Sequence, residues 1–153
     1  MDLLLDTDIL IDYFGRRQPY YKDWIKLDAM REIGDARLWV SSESYTDAFF
    51  ILRKAVDPAA LQKAFVESLD FLNVCSVGAS EIQRAAERAW TDFEDCVIDV
   101  CAENVEADYI ITRDKEGFRR SGIPAYSIPE FFAHLEEAYG IVYEIIDTSE
   151  LFA

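Results

Sequence analysis

Carboxylates recur along this chain directly after short apolar runs. Asp6 and Asp8 follow Leu3-Leu4-Leu5, and Asp12 lies one helical turn beyond. Ser41-Ser42-Glu43 follows Leu38-Trp39-Val40, with Asp47 a turn past Glu43. Thr112 and Asp114 follow Tyr109-Ile110-Ile111. Asp92, Asp95 and Asp99 stand at i, i+3 and i+7, near one helix face, where like charges cost stability. Asp92 also reads as an N-cap, in competition with Thr91. Acids are rarely buried without a partner, and neighbouring carboxylates oppose each other's ionisation. A shared cation relieves both problems. Oxygen donors without His or Cys select Mg²⁺ or Mn²⁺ over zinc. Asp6, Asp95 and Asp114, with Asp47 or Glu43, would hold such an ion, and the chemistry it supports is phosphoryl transfer or hydrolysis.

The elements needed to bring these residues together are also visible. Apolar runs at 2–5, 38–40, 71–77, 108–112 and 124–128 read as strands. Helical periodicity fills 7–14, 20–33, 41–55, 58 to about 69, 78–90 and 92–104, and Pro129-Glu130 opens another helix. Thr7 or Asp8 is the expected cap of the first helix. Residues 141–146 read as an edge strand or docked tail. Alternation of this kind implies an α/β fold with a parallel sheet, whose sites form outside the carboxyl ends of the strands.

Composition narrows the classes. The chain has 153 residues, 51% hydrophobic, enough for one domain with a real core. No apolar run approaches the roughly 20 residues of a membrane span. No basic n-region or small-residue cleavage site marks a signal peptide. Cys75, Cys96 and Cys101 form no CxxC pair, which fits a reducing compartment, so a cytoplasmic location is expected. Fifteen Lys and Arg against 30 Asp and Glu give a net charge of −15, which opposes nonspecific attraction to a polyanion.

The motifs together resemble the PIN-domain family, which includes VapC-type toxin ribonucleases. Leu4-Leu5-Asp6-Thr7-Asp8 through Asp12 is similar to the opening hhhDTNhhhD, with Asp8 where Asn is usual. Val40 to Ile51 resembles the segment that normally carries Glu, with Asp47 at that place and Glu43 as the alternative. Asp92-Phe93-Glu94-Asp95 resembles DxxDhhh. Ala107 to Phe118 resembles ADhhhTRNxxDF, with Gly117 in place of the last Asp. Ile123-Pro124 to Phe131 resembles the family's closing segment.

The resemblance implies one PIN-like α/β domain over residues 1–132, a parallel sheet of about five short strands sandwiched by helices, with 133–153 an acidic extension packed on it or trailing it. It implies a Mg²⁺- or Mn²⁺-dependent endoribonuclease of the kind that serves as the toxin of a toxin–antitoxin pair. Asp6, Asp47, Asp95 and Asp114 would be the catalytic and metal-holding acids, supported by Asp8, Thr112, Asp92 and Glu43. Arg113, Lys115 and Arg53 would meet RNA phosphates. A small antitoxin protein would cover the site, and a homodimer is the expected assembly. Two other readings remain open: a catalytically silent PIN-fold binding module, and a haloacid-dehalogenase-type phosphatase using Asp6-Thr7-Asp8. The phosphatase lacks its expected Thr or Val at Leu10, a strand-end Lys and a cap domain. A receiver-type domain would want a Lys near Ser127-Ile128-Pro129, where none stands.

Overall fold

The computed structural model describes residues 1–144. Five short strands, β1 (Asp2–Leu5), β2 (Arg37–Ser41), β3 (Asn73–Cys75), β4 (Tyr109–Ile111) and β5 (Ala125–Tyr126), form one all-parallel sheet in the order β3-β2-β1-β4-β5. Among the described residues, seven α-helices connect or cover them: α1 (Thr7–Phe14), α2 (Trp24–Glu32), α3 (Ser42–Leu52), α4 (Pro58–Ser68), α5 (Ala79–Arg88), α6 (Phe93–Asn104) and α7 (Ile128–Tyr139). The sheet steps outward from β1 in one direction through β2 and β3, and in the other through β4 and β5. The crevice at that reversal lies beyond the carboxyl ends of β1 and β4, where ligand sites form in such sheets.

Alternation along β1 divides the interior. Leu3 and Leu5 join Leu38, Val40, Tyr109 and Ile111 in a core with α1, α2, α3 and α7. Leu4 and Ile110 point to the other face, toward Ala85 of α5 and Cys96, Ile98 and Cys101 of α6. Both faces of β1 are therefore buried, which explains an unbroken leucine run in place of alternation. Helix α6 is buried from Asp95 through Ala102, so its polar residues must find partners inside the protein.

Differences from the expected elements have local causes. Strand β3 is confined to 73–75 because Phe71 and Leu72 donate their backbone N–H groups to Ser68 in the turn closing α4. Beyond its other end, the Val77 N–H is taken by Ser42 Oγ at 3.0 Å. The helical pattern at 20–33 divides into a 3-10 turn, Tyr20–Asp23, and α2. Strand β5 is brief because Ser127 caps α7 in a reciprocal arrangement with Glu130. Helix α7 passes through position 132 and places Leu135 in the first core. Residues 141–144 form no strand; Tyr143 donates its hydroxyl to Asp35 at 2.7 Å and packs edge-on against Phe132. Residues 145 and 146 of the expected edge strand lie outside the described residues. No helix among the described residues is long and apolar enough to cross a membrane.

Candidate metal centre

Asp6 ends β1 and caps α1, a role expected of Thr7 or Asp8. Its backbone is extended, and its Oδ1 accepts the Thr7 N–H at 2.7 Å. Its other oxygen accepts the Thr112 hydroxyl at 2.8 Å, and its own N–H reaches the Ile111 carbonyl at 2.9 Å. The Leu5–Ile111 register therefore sets Asp6 beside Thr112. Thr112 Oγ1 also accepts the Asp114 N–H at 2.9 Å, so one hydroxyl ties the first acid to the turn carrying the last.

Asp95 enters from the first turn of α6. Asp92 is the cap of that helix and accepts the Asp95 N–H at 3.1 Å, fixing Asp95 without facing the cleft itself. Glu94 was not singled out by the sequence pattern. It lies with Asp6 and Asp95 in a group in which one carboxylate oxygen from each residue falls within 4.8 Å of the other two. Thr7 donates its hydroxyl to Glu94 Oε1 at 2.6 Å and contacts Ser44 Oγ at 2.8 Å. A signal for Glu94 existed: Ile98 and Cys101, one and two turns on, are buried on the same side.

A cleft of about 390 Å³ opens over this group, lined by Asp6, Asp8, Asp47, Glu94, Asp95 and Asp114, with Phe50 and Ile51 on its apolar side. Asp47 borders it, whereas Glu43 lines an adjoining hollow of about 250 Å³ with Val77, Ile82 and Phe93. Asp8 uses one oxygen to accept the Arg113 N–H at 3.0 Å, and its other oxygen is buried without a partner.

The electrostatics are strained. Burial, then the charges of Asp8 and Glu94, push the Asp6 carboxyl well above its ordinary range, against the pull of the Thr112 and Thr7 hydrogen bonds. Burial and the charges of Asp92 and Glu94 raise Asp95 to about 7. Burial raises Asp8 to about 6 and also lifts Glu94. A cation among carboxylates so placed favours their ionised form. The donor set is all oxygen, so it suits a hard divalent ion held chiefly by Asp6, Glu94 and Asp95, with Asp47 and Asp114 at the rim.

The basic residues expected to meet phosphates all have intramolecular partners. Arg113 forks onto Asp12 at 2.7 and 3.3 Å, and its guanidinium stacks on Tyr20 with 4.2 Å to the ring centre. Lys115 pairs with Glu130 at 3.0 Å, and Arg53 lies over Phe50 at 3.9 Å. Asp12 and Asp99 are each about 1% exposed. Arg88 meets Asp99 at 2.8 Å, and Ser121 bonds its other oxygen.

A doubly wound α/β domain with a carboxylate cleft at its switch point defines the class. The sequence model of the PIN domain matches residues 2–116, and the chain belongs to the PIN-domain family. No curated protein matches the sequence. Among solved structures, VapBC2 from Rickettsia felis bound to a promoter DNA fragment aligns at TM-score 0.64 and 15% identity, covering 83% of this chain and 98% of that one. VapBC-1 from nontypeable Haemophilus influenzae aligns at TM-score 0.64 and 20% identity, covering 84% and 99%. The Mycobacterium tuberculosis toxin VapC20, described as cleaving the sarcin–ricin loop, aligns at TM-score 0.61 and 13% identity, covering 79% and 95%. At these identities the likeness is one of fold.

Proposed function

We propose that this protein is a Mg²⁺- or Mn²⁺-dependent endoribonuclease, and that it acts as the toxin of a toxin–antitoxin pair. One observation carries the reading. Three carboxylates, from β1's end and α6's first turn, converge within 4.8 Å, while the strong arginine pairs of the interior go to Asp12 and Asp99. A bound divalent ion would supply activation of water and stabilisation of charge on a phosphodiester. The chain's own residues do the rest. Asp6, Glu94 and Asp95 hold the ion, Thr112 and Thr7 fix the first two of those carboxylates, and Asp47 and Asp114 bound the opening where RNA enters.

The acidic cleft beside exposed Phe50 and Ile51 favours an amphipathic antitoxin segment that seats apolar side chains on that edge and a basic one among the acids. The relatives' complexes support this choice of partner. A cytoplasmic location and a homodimer complete the reading.

The test is calorimetric titration of Mn²⁺ and Mg²⁺ into the wild type and Asp6→Asn, with cleavage of a mixed RNA pool on the same samples. Binding and cleavage lost together in the variant are expected; metal affinity unchanged by Asp6→Asn overturns the site. A second reading, a silent binding module, is favoured by the internal pairing of Arg113, Lys115 and Arg53, and predicts metal binding without cleavage.

A further inference from the structure

We infer that Gly117 is a positioning residue of the acid cluster: its lack of a side chain leaves the space that the Asp95 carboxylate occupies. The inference rests on the metal reading above and concerns which residues shape that site.

Gly117 lies in the 3-10 turn Lys115–Phe118, which follows β4. A Cβ built there would collide with Asp95 Oδ2, and would stand 3.1 Å from Asp95 Cγ and 3.3 Å from Asp114 Oδ2. The backbone supplies no reason for glycine, since Gly117 is outside the left-handed region that favours it. The space does. Gly117 is wedged between two carboxylates, and its N–H donates to the other oxygen of Asp114, Oδ1, at 3.3 Å. One residue thus touches the acid of α6 and the acid of the β4 turn.

The backbone is held on both sides, so the shift falls on the end of the Asp95 side chain. The next residue, Phe118, is 3% exposed and buried in the core that α6 helps form, so the turn is anchored. Asp95 has a short side chain, and its backbone is fixed by the bond to Asp92. A methyl group at 117 therefore turns the Asp95 carboxylate away from Asp6 and Glu94. The same geometry bears on the family signature, which carries Asp at this position. In this chain an added carboxylate at 117 arrives on a Cβ that evicts the one already present. Asp114, three residues earlier in the turn, supplies the acid on this side of the cleft.

The experiment is calorimetric titration of Mn²⁺ into the wild type, Gly117→Ala, Gly117→Asp and Gly122→Ala, with circular dichroism to verify folding. Gly122 is the control, because a Cβ there meets nothing within 4 Å. The expected result is Mn²⁺ affinity weakened about ten-fold or more in both Gly117 variants, the scale seen when a ligand's orienting partner is lost, and unchanged in Gly122→Ala. Wild-type affinity in Gly117→Ala overturns the inference while leaving the metal site standing. Tighter binding by Gly117→Asp also overturns it, and would make position 117 an open ligand place. A wild type that binds no Mn²⁺ removes the metal reading, and the inference with it.

Should Gly117→Ala fold poorly, urea unfolding of the metal-free protein decides. Truncation in Asp95→Ala removes the obstructing group, so Gly117→Ala should destabilise the wild-type background and not that one. Equal destabilisation in both backgrounds overturns the proposed contact.

Discussion

Asp12 and Asp99 are as deeply buried as Asp6 and Asp95, yet the two pairs are neutralised in opposite ways. Asp12 is met by the fork of Arg113, with Arg17 at 4.0 Å, and Asp99 by Arg88 and the Ser121 hydroxyl. Asp6 has the Thr112 hydroxyl and the Thr7 N–H, and Asp95 faces the neighbouring acids Asp92, Glu94 and Asp114. The first pair completes its charge balance within the fold. The second leaves that balance to a visitor, which is what a binding centre requires and what a structural ion pair avoids. The distinction is carried by neighbours, since all four are aspartates near helix starts or on helix faces.

The sharpest test of this contrast is Asp6→Asn, which should lower RNA cleavage about a thousandfold, the kinetic value of several kcal/mol of lost charge stabilisation. It should leave the metal-free fold intact and, as burial raises Asp6, make it more stable at pH 8 than the wild type. Next comes the opposite pair. Arg113→Ala or Arg88→Ala should cost about 3 kcal/mol in urea unfolding, because each strands a buried carboxylate. If either arginine variant unfolds like the wild type, the contrast fails.

Smaller is the stability effect of Asp95→Asn. A carboxyl raised to about 7 in the folded state stabilises the protein below its unfolded value, near 3.8, and that contribution is lost as pH rises toward 7. The metal-free wild type should therefore be less stable at pH 8 than at pH 5. Asp95→Asn should recover about 1 kcal/mol at pH 8 and little at pH 5. Mn²⁺ should accordingly raise the wild-type Tm more at pH 8 than at pH 5, and do so weakly in the variant. The smallest effect belongs to Arg53→Ala, which removes an exposed cation–π contact and should change unfolding by about 0.5 kcal/mol.

Much of this was legible in the sequence, for reasons that differ by element. The leucine run of β1 and the cap Asp92 mark their elements directly, because those signals are local, whereas Ser127 reads as the end of a strand and instead caps α7. Asp6, Asp95 and Asp114 could be picked out because strand ends and helix starts fix their direction. The burial of Asp12 and Asp99 was not legible. Their partners Arg113 and Ser121 lie far along the chain, and only the assembled sheet brings them near. Glu94 was hidden by its neighbour: a DxxD spacing draws attention to Asp92 and Asp95, while the first turn of α6 aims Glu94 at Thr7. The narrow place of Gly117 could not be read either, since the spacing of two carboxylates around one glycine is a tertiary fact.

The hydrogen bond between Thr112 and Asp6 joins residues 106 positions apart. While the ribosome is still making this chain, β1, β2 and β3 can emerge with Asp6 already among them, before Asp95, Thr112 and Asp114 have been added. Domains generally fold from the N-terminal side during synthesis, and here the central strand must wait for β4. The cluster is thus withheld from every chain that stops short of β4. A protein that attacked RNA would in this way carry no assembled acid centre while only β1, β2 and β3 had left the ribosome producing it.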